Sequence, residues 1–129
     1  MKSEKGQAAL EFALVLPILL LLVCGIVDFG RILYTKNTLT SMSEQAARYA
    51  SLDYTNTDAE IDTYVRTNAG VSDTSAGTLT VAVAPTPTRV SGNTVKITLT
   101  YKIYYITPFM NKILASPFII KSYSTFRVE

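Results

Sequence analysis

From Ala8 to Val27 the chain is apolar for about twenty residues, interrupted by a single charge at Glu11. It shows no strand-like alternation there and is rich in good helix formers. At about 1.5 Å per residue such a helix reaches roughly 30 Å, the thickness of a bilayer's hydrocarbon layer. The pattern predicts one long helix from Gln7 to about Ala50 that changes character halfway. In its second half Leu39, Met42, Ala46 and Tyr49 recur at three- and four-residue intervals, while Lys36, Ser43, Glu44 and Arg48 are expected to point elsewhere. That stripe is expected to cover the core of a small domain, and a second face can still meet other subunits.

After a loop over 51–57, the run DAEIDTYVRTNAG opens on acids, sets Ile61, Tyr64 and Val65 on one side and closes on Gly70. This predicts a short helix from Asp58 to Asn68. Asp58, Glu60 and Asp62 superficially resemble a calcium loop, but the glycine and glutamate such a loop needs further on are missing, so they read as helix-start acids. Next, Leu79, Val81 and Val83 alternate with Thr80 and Ala82, and Pro85 and Pro87 interrupt. A second alternation runs from Val95 through Ile97, Leu99, Tyr101 and Ile103 to Tyr105, after a turn at Ser91-Gly92-Asn93. Pro108 to Pro117 reads as a connection with one helical turn. Phe118 to Val128 reads as a third strand with Ile120, Phe126 and Val128 on one side. The expected fold class is α+β, a long N-terminal hydrophobic helix packed in its second half on a small three-stranded antiparallel sheet.

Composition narrows the chemistry. The 129 residues suffice for one small domain and not two. There is no His and no Trp, and the one cysteine, Cys24, lies inside the apolar run. Cys/His zinc sites, redox Cys pairs, covalent haem attachment and His-based triads are therefore excluded within this chain. No Ser-x-x-Lys or paired-acid motif stands out, so neither an enzyme nor a cofactor is expected. Six basic residues and no acid lie between Arg89 and Arg127, against five acids and Arg66 from Asp53 to Asp73. A basic sheet face is plausible, read as solvated strands that resist edge pairing in preference to a nucleic-acid site.

The apolar segment carries the function. A lipoprotein signal would need a small residue before Cys24, where Val23 stands, and cleavage by signal peptidase would amputate the helix. A short polar segment with Lys2 and Lys5, then Gly6, then Glu11 five residues on, fits a prepilin-type leader and helix. KGQAALEFALVLPILLLLVCGIVDFGR resembles the start of TadE-like pseudopilins of the tight-adherence branch of type IV pili, in its G-Q-A-x-x-E-F-A, Leu-Pro and Phe-Gly-Arg features. The resemblance is specific over about Gly6 to Arg31 and looser to the end.

That resemblance implies a leader over 1–6, a transmembrane and assembly half of the helix over 7–34, and an extracytoplasmic α+β pilin-like domain over 35–129. It implies cleavage by a prepilin peptidase between Gly6 and Gln7, on the cytoplasmic side. Gly6 suits a protease that needs close backbone approach. A carboxylate in hydrocarbon costs about 2.5 to 3.5 kcal/mol on insertion scales, so Glu11 needs a partner, by resemblance the new amine of Gln7 on a neighbouring subunit. The other reading keeps Glu11 at headgroup level, favoured by its own helix's N-terminal end. In an uncleaved chain Lys5 is the nearest substitute partner. Phe12 belongs to the assembly motif. Pro17 removes a backbone donor, frees the carbonyl of Ala13 and predicts a kink or loosened turn. Asp28 and Arg31 can pair at i, i+3 and mark the far membrane boundary.

The expected partners are inner-membrane lipid before assembly, then self or other pilin subunits, with the prepilin peptidase and the pilus assembly platform; nucleic acid is not among them. The expected location is a single-pass inner-membrane protein with its N-terminus inside, later an extracellular filament or pilus base. Lysine and arginine counts on the two sides are nearly balanced, so orientation leans on the resemblance. The rival is a permanently anchored single-span protein whose outer domain is a binding module.

Overall fold

A computed structural model describes residues 2–71, 73–74, 77–85 and 89–129; the expected interruption at Pro87 lies outside them. The first helix, α1, runs Lys2–Leu52, starting five residues before the expected Gln7 and continuing without a break through Pro17. Helix α2 spans Asp58–Asn68, as the sequence pattern predicts. Its start is a reciprocal cap: the Thr57 N–H donates to Glu60 Oε2 at 2.6 Å, and the Glu60 N–H donates to Thr57 Oγ1 at 3.2 Å. Its end passes through Ala69 into Gly70 at φ +65, which a side chain would disfavour.

Strands β1 (Gly77–Ala84) and β2 (Thr94–Ile103), the four-residue turn α3 (Met110–Ile113) and strand β3 (Phe118–Arg127) complete the fold. The sheet is an antiparallel meander in the order β1-β2-β3, with Leu79 opposite Tyr101 and Tyr101 opposite Ile120. Strand β2 stops two residues short of the expected Tyr105: the Tyr104 carbonyl accepts from Arg31 of α1, and the Tyr105 hydroxyl donates to the Ala115 carbonyl. One sheet face is covered by α1, over β3 and β2, and by α2, beside β1. Leu39, Met42, Ala46, Ile61, Val65, Val95, Ile97 and Leu99 are all at most 2% exposed. Burying such side chains is worth about 1.5 to 3 kcal/mol each, which holds the two helices to the sheet.

Two expectations are corrected here, for Ser43 and Arg89, and a third, for Phe126, is refined. Ser43 does not face away: it is fully buried, donating to the Thr40 carbonyl at 2.8 Å and lying 3.4 Å from Ser122 Oγ. Its small side chain lets α1 and β3 approach, and its hydroxyl finds partners, so a polar residue fits inside the stripe. Phe126 shares a face with Ile120 and Val128, but it lies at the rim and is 40% exposed; the buried position between is Ser122. Arg89 is not part of a basic surface. Its side chain is 1% exposed and donates to Asp58 Oδ1 at 2.8 Å and to the Asn56 carbonyl, tying the β1–β2 loop to the start of α2. Lys96, Lys102, Lys121 and Arg127 do stay exposed.

Candidate membrane and assembly interface

Helix α1 divides into two halves by burial. Thirteen large apolar side chains from Leu10 to Val27 are each 38–66% exposed, and the most apolar window of the helix, of mean hydropathy 2.8, has no part buried in the protein. By length and composition α1 can cross a membrane. A core helix of a water-soluble protein would be covered by its own chain. Completing the burial of thirteen half-exposed side chains is worth on the order of 10 to 20 kcal/mol. That is comparable to the whole stability of a typical domain, about 5 to 15 kcal/mol, so lipid or other helices around this half of α1 would contribute as much as the fold itself.

Gly6, Gln7, Glu11, Phe12 and Pro17 all lie on the free half and are exposed. An added Cβ at Gly6 meets nothing within 4 Å, so packing within this chain does not call for glycine there. The Gln7 side-chain amide donates to Glu11 Oε1 at 3.5 Å, a long contact one helical turn away. Among the described residues Glu11 forms no ion pair with Lys5. Asp28 and Arg31 lie well apart from this group, since 17 residues separate Glu11 from Asp28, about 26 Å along the axis.

Asp28 is where the two halves meet. It pairs with Arg31 as the spacing predicts, at 3.4 Å, but it is only 4% exposed and its main partners are distant in sequence. Its carboxylate accepts from the Ile106 N–H at 3.0 Å, the Thr107 N–H at 2.8 Å and the Thr107 hydroxyl at 2.6 Å. Arg31 also donates to the Tyr104 carbonyl at 3.3 Å. A buried carboxylate is tolerated because backbone and hydroxyl donors replace its water. The junction thereby fastens the segment after β2 to the point where the apolar run ends. Sequence reasoning missed Ile106 and Thr107. A signal for Asp28 existed, because positions 28, 32, 35, 39, 42 and 46 continue the three- and four-residue spacing of the buried stripe downward.

The groove between α2 and the end of α1 brings together polar side chains that are already engaged locally. This groove, of about 450 Å³, is lined by Glu60, Thr63, Thr67 and Asn68. Glu60 belongs to the cap, and the other three side chains return to α2's own carbonyls. The acids that resembled a calcium loop are likewise engaged: Asp58 by Arg89, Glu60 by Thr57 and Asp62 by Arg66.

Residues 6–48 match the family model described as TadE-like protein, a match that covers the free half of α1, Asp28 and Arg31 and most of the stripe, and none of the sheet. No curated protein and no solved structure matches the chain.

Proposed function

We infer, from a chain that is TadE-like over residues 6–48, that this is a structural pseudopilin of the Tad pilus system, cut between Gly6 and Gln7 and assembled through α1. The observation that carries the reading is the uncovered apolar half of α1, which extends the full depth of a bilayer beyond the domain. Before assembly lipid covers it, with the N-terminus inside and residues 35–129 outside. In the filament or its base, neighbouring helices replace the lipid. No catalysis is involved.

Cleavage after Gly6 gives Gln7 an ammonium group, and Glu11 of an adjacent subunit supplies the counter-charge. Two charges that are each costly in hydrocarbon become one satisfied pair, which sets the axial register of a newcomer. Phe12 and Pro17 flank this contact. The prepilin peptidase and the assembly platform are the partners this sequence of events needs.

Intact-mass measurement or N-terminal sequencing of protein from the native host tests the processing. Loss of residues 1–6 is expected. An intact chain in mature assemblies refutes cleavage, and an intact chain found only as membrane-bound monomer favours the permanently anchored binding module. Glu11→Ala is expected to insert in the membrane normally yet to enter surface filaments poorly; unchanged incorporation would rule out the recruitment role.

A further inference from the structure

We propose that the connection between β2 and β3 is a membrane foot, which rests on the headgroup and upper acyl region of the leaflet where α1 leaves the bilayer. Its position comes from the Asp28 junction. Ile106 and Thr107 bond to the residue that immediately follows the apolar run, so this connection sits at the membrane end of the domain. Burial along α1 begins at Cys24, one turn before Asp28 on the same face, which places the lower edge of the domain beside the last apolar turn.

Its chemistry fits a lipid surface. Tyr104, Ile106, Phe109, Ile113 and Leu114 are 43–77% exposed, and α3 contains no buried residue. A surface segment in contact with water alone would not normally group five large apolar side chains on a single connection. Aromatic rings together with a lysine are the composition of the membrane–water boundary, where rings sit at headgroup level and lysine reaches for phosphate. Lys112 lies 5.4 Å from the Phe109 ring centroid, and no acid occurs between Tyr104 and Ser116. Lys112 and the nearby Arg31 complement anionic lipid. The foot holds the outer domain in one orientation on the membrane before any assembly takes place. It rests on the membrane-spanning part of the functional reading and is independent of cleavage and of Glu11.

The test uses full-length protein carrying Cys24→Ser, reconstituted in vesicles of phosphatidylcholine and phosphatidylglycerol. Single cysteines at Phe109→Cys, Ile113→Cys, Leu19→Cys and Thr98→Cys carry an environment-sensitive fluorophore. The first two are expected to emit to the blue and to be quenched most by lipids with a nitroxide near the headgroup. The Leu19 probe should be quenched most by deep nitroxides, and the Thr98 probe, on the open sheet face, by neither. Emission at both foot positions like that at Thr98, with Leu19 still quenched, overturns the foot alone. An unquenched Leu19 probe overturns the membrane reading and the foot with it. A blue shift that grows with protein-to-lipid ratio without nitroxide quenching means a second copy covers the segment, and the proposal falls.

Discussion

Replacing Asp28 by alanine removes the acceptor of three donors of the segment after β2, besides that of Arg31, and should release the segment from α1. The Ile106 N–H belongs to an exposed residue and can turn to water, whereas the Thr107 N–H and hydroxyl lie on a residue only 8% exposed. Leaving buried donors unpaired costs about 1 to 3 kcal/mol each, so the loss is about 2 to 4 kcal/mol, after allowing the hydroxyl to rotate toward another acceptor. Arg31 adds little, since its contact is 3.4 Å long and its side chain is partly exposed. Amide hydrogen exchange on the full-length protein in detergent micelles reads the effect where it occurs. Protection at Ile106 and Thr107 should fall roughly 30- to 700-fold, while amides in the middle of β2, such as Ile97 and Leu99, change far less. Asp28→Asn keeps one acceptor oxygen and should show about half the loss in free energy. A Thr107→Val change should cost less in the Asp28→Ala background than alone, because the two act as one unit. Unchanged protection at Ile106 and Thr107 in Asp28→Ala would refute the junction.

Gly77→Ala should destabilise the domain by about 1 to 3 kcal/mol, because the new Cβ would sit 2.4 Å from the Tyr101 ring; a denaturation midpoint equal to the parent's would show that the ring moves freely. Arg89→Met, of similar length, should cost about 1.5 to 3 kcal/mol by removing the charged bonds to Asp58 and Asn56, and proteolysis of the β1–β2 loop should accelerate; an unaltered cleavage rate would argue against the tether. The pH dependence of α2 has a definite sign. The backbone N–H and hydroxyl of Thr57 hold the Glu60 carboxyl below its ordinary 4.5, so the cap's contribution is complete above that value and is lost as pH falls through the lowered one. An NMR titration should find the Thr57 amide shifting with Glu60 below pH 4.5, and a midpoint at or above the ordinary value would contradict the cap.

Local pattern was sufficient where a residue's environment depends on its near neighbours. Ala8 to Val27 needs no tertiary information to be read as a helix long and apolar enough to span a bilayer, while its lack of cover by the rest of the chain is a tertiary fact. The bounds of α2 were legible because Thr57, Glu60 and Gly70 satisfy helix ends within a few residues of one another. The alternation from Val95 to Ile103 gave the buried face of β2 by its two-residue period. Charge, by contrast, misled wherever a partner was remote. Sequence position groups Arg89 with the surface lysines of the sheet, although its partners lie some thirty residues earlier in the chain. Spacing alone puts Ser43 off the apolar stripe, and only the approach of β3 brings Ser122 beside it.

The same division holds for the functional segments. From its residues alone the chain specifies an apolar rod with one acid near its start and a covered stripe near its end, since periodicity along a helix translates directly into faces. That Asp28 is a buried acceptor instead of merely half of a surface pair, and that an apolar connection is held beside the last turn of the run, was decided by tertiary structure. Those properties depend on hydrogen bonds between residues 78 and 79 positions apart, which no local spacing encodes. The physical reason is desolvation: a carboxylate's role is set by which donors replace its water, and here those donors arrive only when the sheet closes against the helix.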